Sequence, residues 1–268
     1  MDADDETVRA LAAEVAAADR VVALTGAGVS VPSGIPPFRG ESTDDDTPGP
    51  VWETHDRADF HRRRFDADPA GFWTDRLALR ETLYGREVEP NAAHEALATL
   101  ESRGDLDLLV TQNVDGLHAA AGSASVVELH GSSARVVCDD CGRTRPAGPV
   151  WERVRDGERP PTCDCDGVLK PDVVLFGEGL PDDAFDRAQT EARRCDVFLA
   201  VGSSLTVRPA SLLPEVAAEA GATLAVINLD STPCSARADY DVRADVTAAL
   251  PKLVETVTDR GVEPDSRE

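Results

Sequence analysis

Leu129-His130-Gly131-Ser132 stands just ahead of Cys138-x-x-Cys141, and Cys163-x-Cys165 follows after 21 further residues. An imidazole with an ordinary pKa near 6.5 is suited to taking a proton from a hydroxyl close to neutral pH. Four paired thiolates fill a tetrahedral zinc ion and leave no position for substrate, so a metal at Cys138, Cys141, Cys163 and Cys165 is expected to be structural. Far upstream, Gly26-Ala27-Gly28-Val29-Ser30 follows the apolar run 20–25. A glycine turn after a strand lets backbone amides approach a pyrophosphate, although Val31 occupies the place of the third glycine of the dinucleotide fingerprint. Ser33 to Gly40 then carries Phe38 and Arg39 on a proline-interrupted loop, fit to cover a ring and a phosphate. Gln112-Asn113-Val114-Asp115 ends a second apolar run. Its polar groups either hold a ligand at the carboxyl end of a strand or cap a helix.

The elements that must position these groups are legible as alternating patterns. Residues 5–19 and 91–100 have helical spacing, the second opened by a capping Asn91. Strands are expected at 20–25, 106–111, 173–175, 197–201 and 224–227, with helices at 182–194 and 210–220, and a short apolar run at 126–129 precedes His130. Residues 51–88 carry helical patterns and most of the aromatics, while prolines forbid a helix through 32–50. Strands alternating with helices give an α/β fold, a doubly wound parallel Rossmann-like sheet. An inserted smaller domain is expected, made of a helical module and a four-cysteine zinc module. The division expected is 1–40, 91–131 and 171–260 for the nucleotide domain, 41–90 for loop and helical module, 132–170 for zinc, and 261–268 as a frayed tail.

The formal net charge is −23, and its make-up is unusual. Lys170 and Lys252 are the only lysines, arginine supplies the other 25 positive charges, and 31 Asp outnumber 19 Glu. Short carboxylates with few lysines read as adaptation to a salty cytosol, where at about 1 M salt a Debye length of about 3 Å makes self-repulsion cheap. The acidity gives no support to nucleic-acid binding, and no apolar run approaches a membrane span. With no export signal read at the acidic start, the chain is expected to be cytoplasmic, and paired cysteines then favour metal over disulfides. Cys195 and Cys234 lie outside the pairs, and Cys195 reads as a small buried residue.

GAGVSVPSGIPPFRG, TQNVDGLH, ELHGS, KPDVVLFGE, VGSSLTVRPA and INLD occur in one order between about Val21 and Leu253. In this the chain resembles the sirtuins, a family of NAD-dependent protein-lysine deacylases. The resemblance implies that Gly26, Ala27, Gly28 and Ser30 serve the pyrophosphate, and that Phe38 shields the nicotinamide side. It implies that Arg39 contacts the cofactor, Gln112 bonds the nicotinamide ribose, and Asn113 and Asp115 hold the carboxamide. Gly202, Ser203 and Ser204 match a phosphate-side loop, with Ser203 where the family usually has threonine. Asn228 matches a ligand of the adenosine ribose and Val246 a backbone contact to adenine. Val174, Phe176, Gly177 and Glu178, with 205–207, would line the lysine tunnel and pair with the substrate backbone as an added strand. The family-typical second pair is C-x-x-C beginning at Thr162, so the C-x-C here has a tighter bite.

The reaction implied consumes NAD: the acyl oxygen of a modified lysine displaces nicotinamide, and His130 assists the ribose hydroxyl in attacking the amidate. Water completes release of lysine and an acylated ADP-ribose. Family members that remove succinyl or malonyl groups resemble one another in a Tyr-x-x-Arg pair, whose nearest counterpart here is Trp73-x-x-Arg76. Lacking the phenol, and with Asp75 adjacent, this pair is a poor counterpart: Arg76 reads as a solvated helix face, and acetyl-lysine or a slightly longer neutral acyl chain is expected over succinyl-lysine. Acylated-lysine proteins are the expected partners. A mono-ADP-ribosyltransferase or a desuccinylase on the same fold are the near rivals. A dehydrogenase is disfavoured by the missing third glycine, and a zinc-ribbon binding module leaves the nucleotide motifs unexplained.

Overall fold

The computed structural model describes residues 3–37, 50–84 and 88–260. In chain order the elements are α1 (Ala3–Ala17), β1 (Val21–Thr25), α2 (Val51–Thr54), α3 (Arg62–Ala67), α4 (Pro69–Tyr84), α5 (Ala92–Arg103), β2 (Leu108–Thr111), α6 (Leu117–Ala120) and β3 (Val126–Glu128). Then come β4 (Gly131–Cys138), β5 (Thr144–Pro146), α7 (Ala147–Arg155), β6 (Leu169–Val173), α8 (Asp182–Ala192), β7 (Val197–Val201), α9 (Leu213–Ala220), β8 (Thr223–Ile227), β9 (Tyr240–Val242) and α10 (Val246–Arg260).

Six strands form a parallel sheet in the order β3-β2-β1-β7-β8-β9. Its central strands are buried on both faces, which is why β1 and β7 read as unbroken apolar runs. One face packs Val21, Ala23, Leu109, Leu199 and Ile227 against Leu11 of α1, Leu97 of α5 and Leu253 of α10. The other packs Val22, Leu24, Val110, Phe198 and Val226 against Ala188 of α8 and Leu213 of α9. The chain leaves β1 toward β2 and β3, and later returns on the opposite side at β7. The topological switch point therefore lies between β1 and β7, and open α/β sheets bind ligands in the crevice beyond that point.

A second sheet, β5-β4-β6, is antiparallel. Here the strand expected at 173–175 is corrected. The strand is β6, ending at Val173, and it pairs with β4 of the zinc module rather than joining the parallel sheet. Phe65, Phe72 and Trp73 of the helical segment share one core with Val136, Trp151, Val154, Cys163 and Leu169. Trp73 and Trp151 meet edge-on at 4.8 Å. No described helix is long and apolar enough to cross a membrane.

Beneath the switch point lies a buried polar network. His94 and His118 are 0% and 3% exposed, with ring centroids 4.8 Å apart. His94 Nδ1 accepts from Asn91 N at 3.3 Å, completing the capping box of α5, and its Nε2 lies 3.5 Å from Ser30 Oγ. His118 Nε2 lies 2.9 Å from Thr25 Oγ1, whose proton is given to Thr111 Oγ1. Burial holds His94 down at about 4. Burial, then the neighbouring His94, holds His118 at about 3. The unfolded chain titrates both near 6.5, so between pH 6.5 and about 4 it binds more protons than the folded chain. Stability is complete above that window and falls as pH drops through it, by up to about 1.4 kcal/mol per pH unit for each imidazole. Thermal unfolding followed from pH 7 to 4 at constant salt checks this. A flat profile would contradict it, and His118→Gln is expected to shallow the slope.

Candidate active site and metal centre

The turn after β1 is built by contact between two loops. Gly28 N donates to Gly202 O at 2.7 Å and Gly26 N to Val201 O at 3.1 Å. A Cβ on Gly28 would stand 2.8 Å from Gly202 O, and one on Gly26 2.7 Å from Ser203 Cβ. The expectation that these two amides approach a phosphate is therefore corrected: they are spent on the carbonyls of Val201, which ends β7, and Gly202, and glycine is required by the close approach of the 202–204 loop. Gly202 itself has φ +56, and a Cβ there would meet Val29 N at 2.6 Å. The two loops thus fix each other at the mouth of the switch point. Ala27 sits at the crest of the turn, opening the 3-10 helix Ala27–Val29.

Gln112, Asn113 and Asp115 follow β2 and converge on the same place. Ser203 Oγ donates to Gln112 Oε1 at 2.7 Å. Asn113 Nδ2 donates to Gly26 O and Ser30 Oγ, each at 3.0 Å. Ser30 is 1% exposed and donates to Asp115 Oδ2 at 2.8 Å. The other oxygen of Asp115 accepts from Leu117 N at 2.9 Å, so the carboxylate both holds Ser30 and caps the start of α6. Burial, opposed by these hydrogen bonds, raises its pKa. The helix-end reading of the 112–115 block is thus realised by Asp115, and Gln112 and Asn113 are held by the loops after β1 and β7.

His130 ends the β3 segment, half-buried. Its Nδ1 lies 2.8 Å from the Gln112 carbonyl oxygen, which can only accept. The proton is therefore on Nδ1, and Nε2 carries the free lone pair needed by a base. Burial lowers the pKa, with the Gln112 bond opposing it. The imidazole consequently stays neutral to a lower pH than an exposed histidine does.

On the far side of β7, Asn228 directly follows β8, its N donating to Val242 O at 3.1 Å and its Nδ2 to Asp230 O at 2.8 Å. Val246 is buried and opens α10. Ser204 is exposed, with its Oγ 3.0 Å from Thr206 Oγ1. Phe38 and Arg39 lie outside the described residues.

The expected substrate residues separate into two groups. Val174 N donates to His130 O at 2.9 Å, which places the 174–178 loop beside the histidine. Phe176 is an exposed large hydrophobic at 39%. Gly177 has φ +87, and a Cβ there would collide with the His61 ring. The Glu178 carboxylate turns back into the loop, accepting from Leu175 N at 2.7 Å and Lys170 Nζ at 3.0 Å. Its side chain therefore braces the loop rather than lining a tunnel. Trp73 is corrected outright: it is 0% exposed, and its Nε1 donates to Leu169 O at 2.8 Å inside the zinc-module core. Arg76 is not a solvated helix face. Its guanidinium lies 4.1 Å from the Phe60 ring centroid and 4.8 Å from that of Phe72. Its Nη2 is buried without a hydrogen-bond partner among the described residues. Burial, opposed by Asp59 and Asp75, lowers its pKa to about 10, so it stays charged near neutrality.

The four paired cysteines place one Sγ each within 4.8 Å of the others. Cys138 and Cys165 are 3.5 Å apart and Cys141 and Cys163 3.9 Å. Zinc–sulfur bonds of about 2.3 Å imply tetrahedral edges of about 3.8 Å, so the cluster fits one zinc ion. The short C-x-C bite is made by a tight turn: Cys163 N donates to Gly167 O at 2.8 Å, and Asp166 takes φ 67. A Cβ on Gly167 would stand 2.8 Å from Cys138 Sγ. Cys195 is buried as expected, with its Sγ donating to Ala192 O at 3.3 Å and its pKa pushed up to about 12, chiefly by burial.

A doubly wound sheet with polar side chains gathered at its switch point, beside a tetrathiolate module, defines a nucleotide-using enzyme rather than a zinc-ribbon binding module. Residues 26–209 match the model of the Sir2 family, and the chain belongs to that family. It is 60% identical over 256 residues to an NAD-dependent protein deacetylase of Haloarcula marismortui, covering 95% of this chain and 96% of that one. An NAD-dependent protein deacylase 2 of Archaeoglobus fulgidus is 38% identical over 255 residues, covering 94% and 97%. Among solved structures, a Sir2 homologue–NAD complex superposes with a TM-score of 0.81 at 37% identity, covering 94% of each chain. A Sir2 protein bound to a myristoylated histone peptide gives 0.75 at 34% identity, covering 96% of this chain and 99% of that one.

Proposed function

We propose that this chain removes acyl groups from lysine side chains of proteins, consuming NAD and releasing nicotinamide and O-acyl-ADP-ribose. The observation that carries the reading is His130, tautomerically fixed by the Gln112 carbonyl beside both the switch point and the 174–178 loop. NAD supplies an anomeric carbon with nicotinamide as leaving group and a ribose hydroxyl that receives the acyl group. Gly26, Ala27, Gly28, Gly202, Ser203 and Ser204 shape the phosphate side, and Phe38 and Arg39 cover it. Gln112 orients the nicotinamide ribose, and Asn113 and Asp115 the carboxamide, with Ser30 holding both side chains in place. Asn228 and the Val246 backbone serve the adenosine end. His130 Nε2 takes the ribose hydroxyl proton after nicotinamide leaves. The Val174 to Gly177 backbone and the Phe176 ring meet the acylated lysine and its flanking chain.

The composition supports a salt-rich cytoplasm as the working environment, and the Haloarcula relative points the same way. The division into a nucleotide domain at 1–40, 91–131 and 171–260, with helical and zinc modules between, is proposed with one change. The zinc module takes in β6 to Val173, and it shares its core with the helical module.

Nicotinamide release measured with acetyl-lysine peptide and NAD in molar salt tests the reading: release is expected only when the acyl group is present. The same assay resolves acyl preference. With Trp73 withdrawn into the core and the Arg76 guanidinium enclosed against Phe60 and Phe72, neither side chain is presented to a distal carboxylate. Higher kcat/KM for acetyl- than succinyl-lysine on one peptide is expected. A succinyl preference abolished by Arg76→Ala would overturn this.

A further inference from the structure

Arg62, the first residue of α3, is the meeting point of three separate parts of the chain. Its Nε donates to Asp66 Oδ1 on its own helix at 2.7 Å. Its two terminal nitrogens grip Asp139 at 2.7 and 2.6 Å, a bidentate arginine–carboxylate pair of the stronger kind. Nη1 also reaches Glu178 Oε1 at 3.2 Å. Asp139 directly follows the metal-site Cys138, and Glu178 closes the 174–178 loop.

The other oxygen of Glu178 receives Leu175 N and Lys170 Nζ. Lys170 is 7% exposed, in a chain with only two lysines. Two cations and three carboxylates thus form one chain of contacts from the first cysteine knuckle to the loop. The backbone reinforces it. Phe176 N donates to Phe60 O, and Arg62 N to Phe176 O, both at 2.9 Å. This parallel bridge leaves the Phe176 ring projecting outward. Without the Arg62 guanidinium, Asp139 would lose its bidentate partner, and Glu178 would keep Lys170 but lose its tie to the zinc module.

We propose that Arg62 is a positioning residue for the acylated peptide: it locks the 174–178 loop to the zinc module, so that substrate meets a preformed edge. This rests on the reading of that loop as peptide-facing, and it gives the zinc module a part in substrate binding that its closed tetrathiolate cannot perform directly. A preformed edge spares the ordering cost of binding, which shows in affinity for the peptide rather than in the chemical step.

The test is steady-state kinetics of Arg62→Gln with acetyl-lysine peptide, alongside NAD affinity by titration calorimetry and zinc content by atomic absorption. Peptide KM is expected to rise about tenfold, with kcat, NAD affinity and one zinc per chain retained. Arg62→Lys keeps the charge but loses the bidentate grip, and is expected to recover part of the loss. Should Arg62→Gln fail to fold, Asp139→Asn removes the same grip and is expected to raise peptide KM in the same direction. An unchanged peptide KM in a folded, zinc-replete variant overturns the proposal. So does an equal loss of NAD affinity, which would mark a general structural role. Failure of the deacylase reading itself would appear differently, as no peptide-dependent nicotinamide release by the parent chain.

Discussion

Replacing His130 by alanine lowers deacylation by about 10²–10⁴-fold, the usual worth of a positioned base. That corresponds to about 2.7–5.4 kcal/mol of transition-state stabilisation. The variant still binds NAD, because the loops that cradle it are held by Gly202, Ser203, Gln112 and Asn113 and not by the imidazole. The pH profile supplies a second check. Burial lowers the His130 pKa, so the base remains neutral, and active, to a pH below the ordinary 6.5. The acid limb of the peptide kcat/KM is therefore expected below 6.5 and is expected to vanish in His130→Ala. Near-normal turnover by that variant would remove the histidine from the mechanism. An acid limb well above 6.5 would contradict the assigned environment.

Loss of the metal is the second large effect. Cys141→Ser removes one of four thiolates whose sulfurs lie within 4.8 Å of each other. Structural zinc contributes about 10–16 kcal/mol of binding free energy in small zinc-finger peptides, and in such modules this is folding free energy. Cys138 and Cys163 sit in one core with Phe65, Phe72, Trp73, Trp151 and Leu169, so the disruption spreads into the helical segment. Zinc content near zero is expected, together with a low-temperature unfolding transition seen in Trp fluorescence. The six-stranded sheet has its own two cores and is expected to melt separately and later. Full zinc content and a single unshifted transition in Cys141→Ser would show that the cluster does not hold the metal.

The parallel sheet was legible because strands buried on both faces leave continuous apolar runs, as in β1 and β7. The switch-point residues were legible because ligands gather where such strands end. What the glycines do there was not. Gly26 and Gly28 read as places for a phosphate to approach, yet their amides are taken by the carbonyls of Val201 and Gly202, more than 170 residues away in sequence. No local pattern carries that distance. The strand near 173 was misread for a related reason. An apolar β-branched run marks a strand but not its partner, and β6 pairs antiparallel with β4.

Trp73 and Arg76 show a further limit. Their spacing on one helix was plain, but which face turns inward is decided by packing against Trp151 and Phe60. The buried pair His94 and His118 leaves only a weak trace in the sequence, an imidazole within the apolar helical stretches NAAHEAL and GLHAA. Arg62 had no such signal. It is one of three consecutive arginines, and only the fold separates it from Arg63 and Arg64.

On the proposed function, one site joins NAD cleavage to lysine deacylation. Mass spectrometry of the products from acetyl-lysine peptide, NAD and the intact protein in molar salt tests it most directly. Free-lysine peptide, nicotinamide and acetylated ADP-ribose are expected in equal amounts. ADP-ribose found on the peptide, or deacetylation yielding free acetate without loss of NAD, would contradict it.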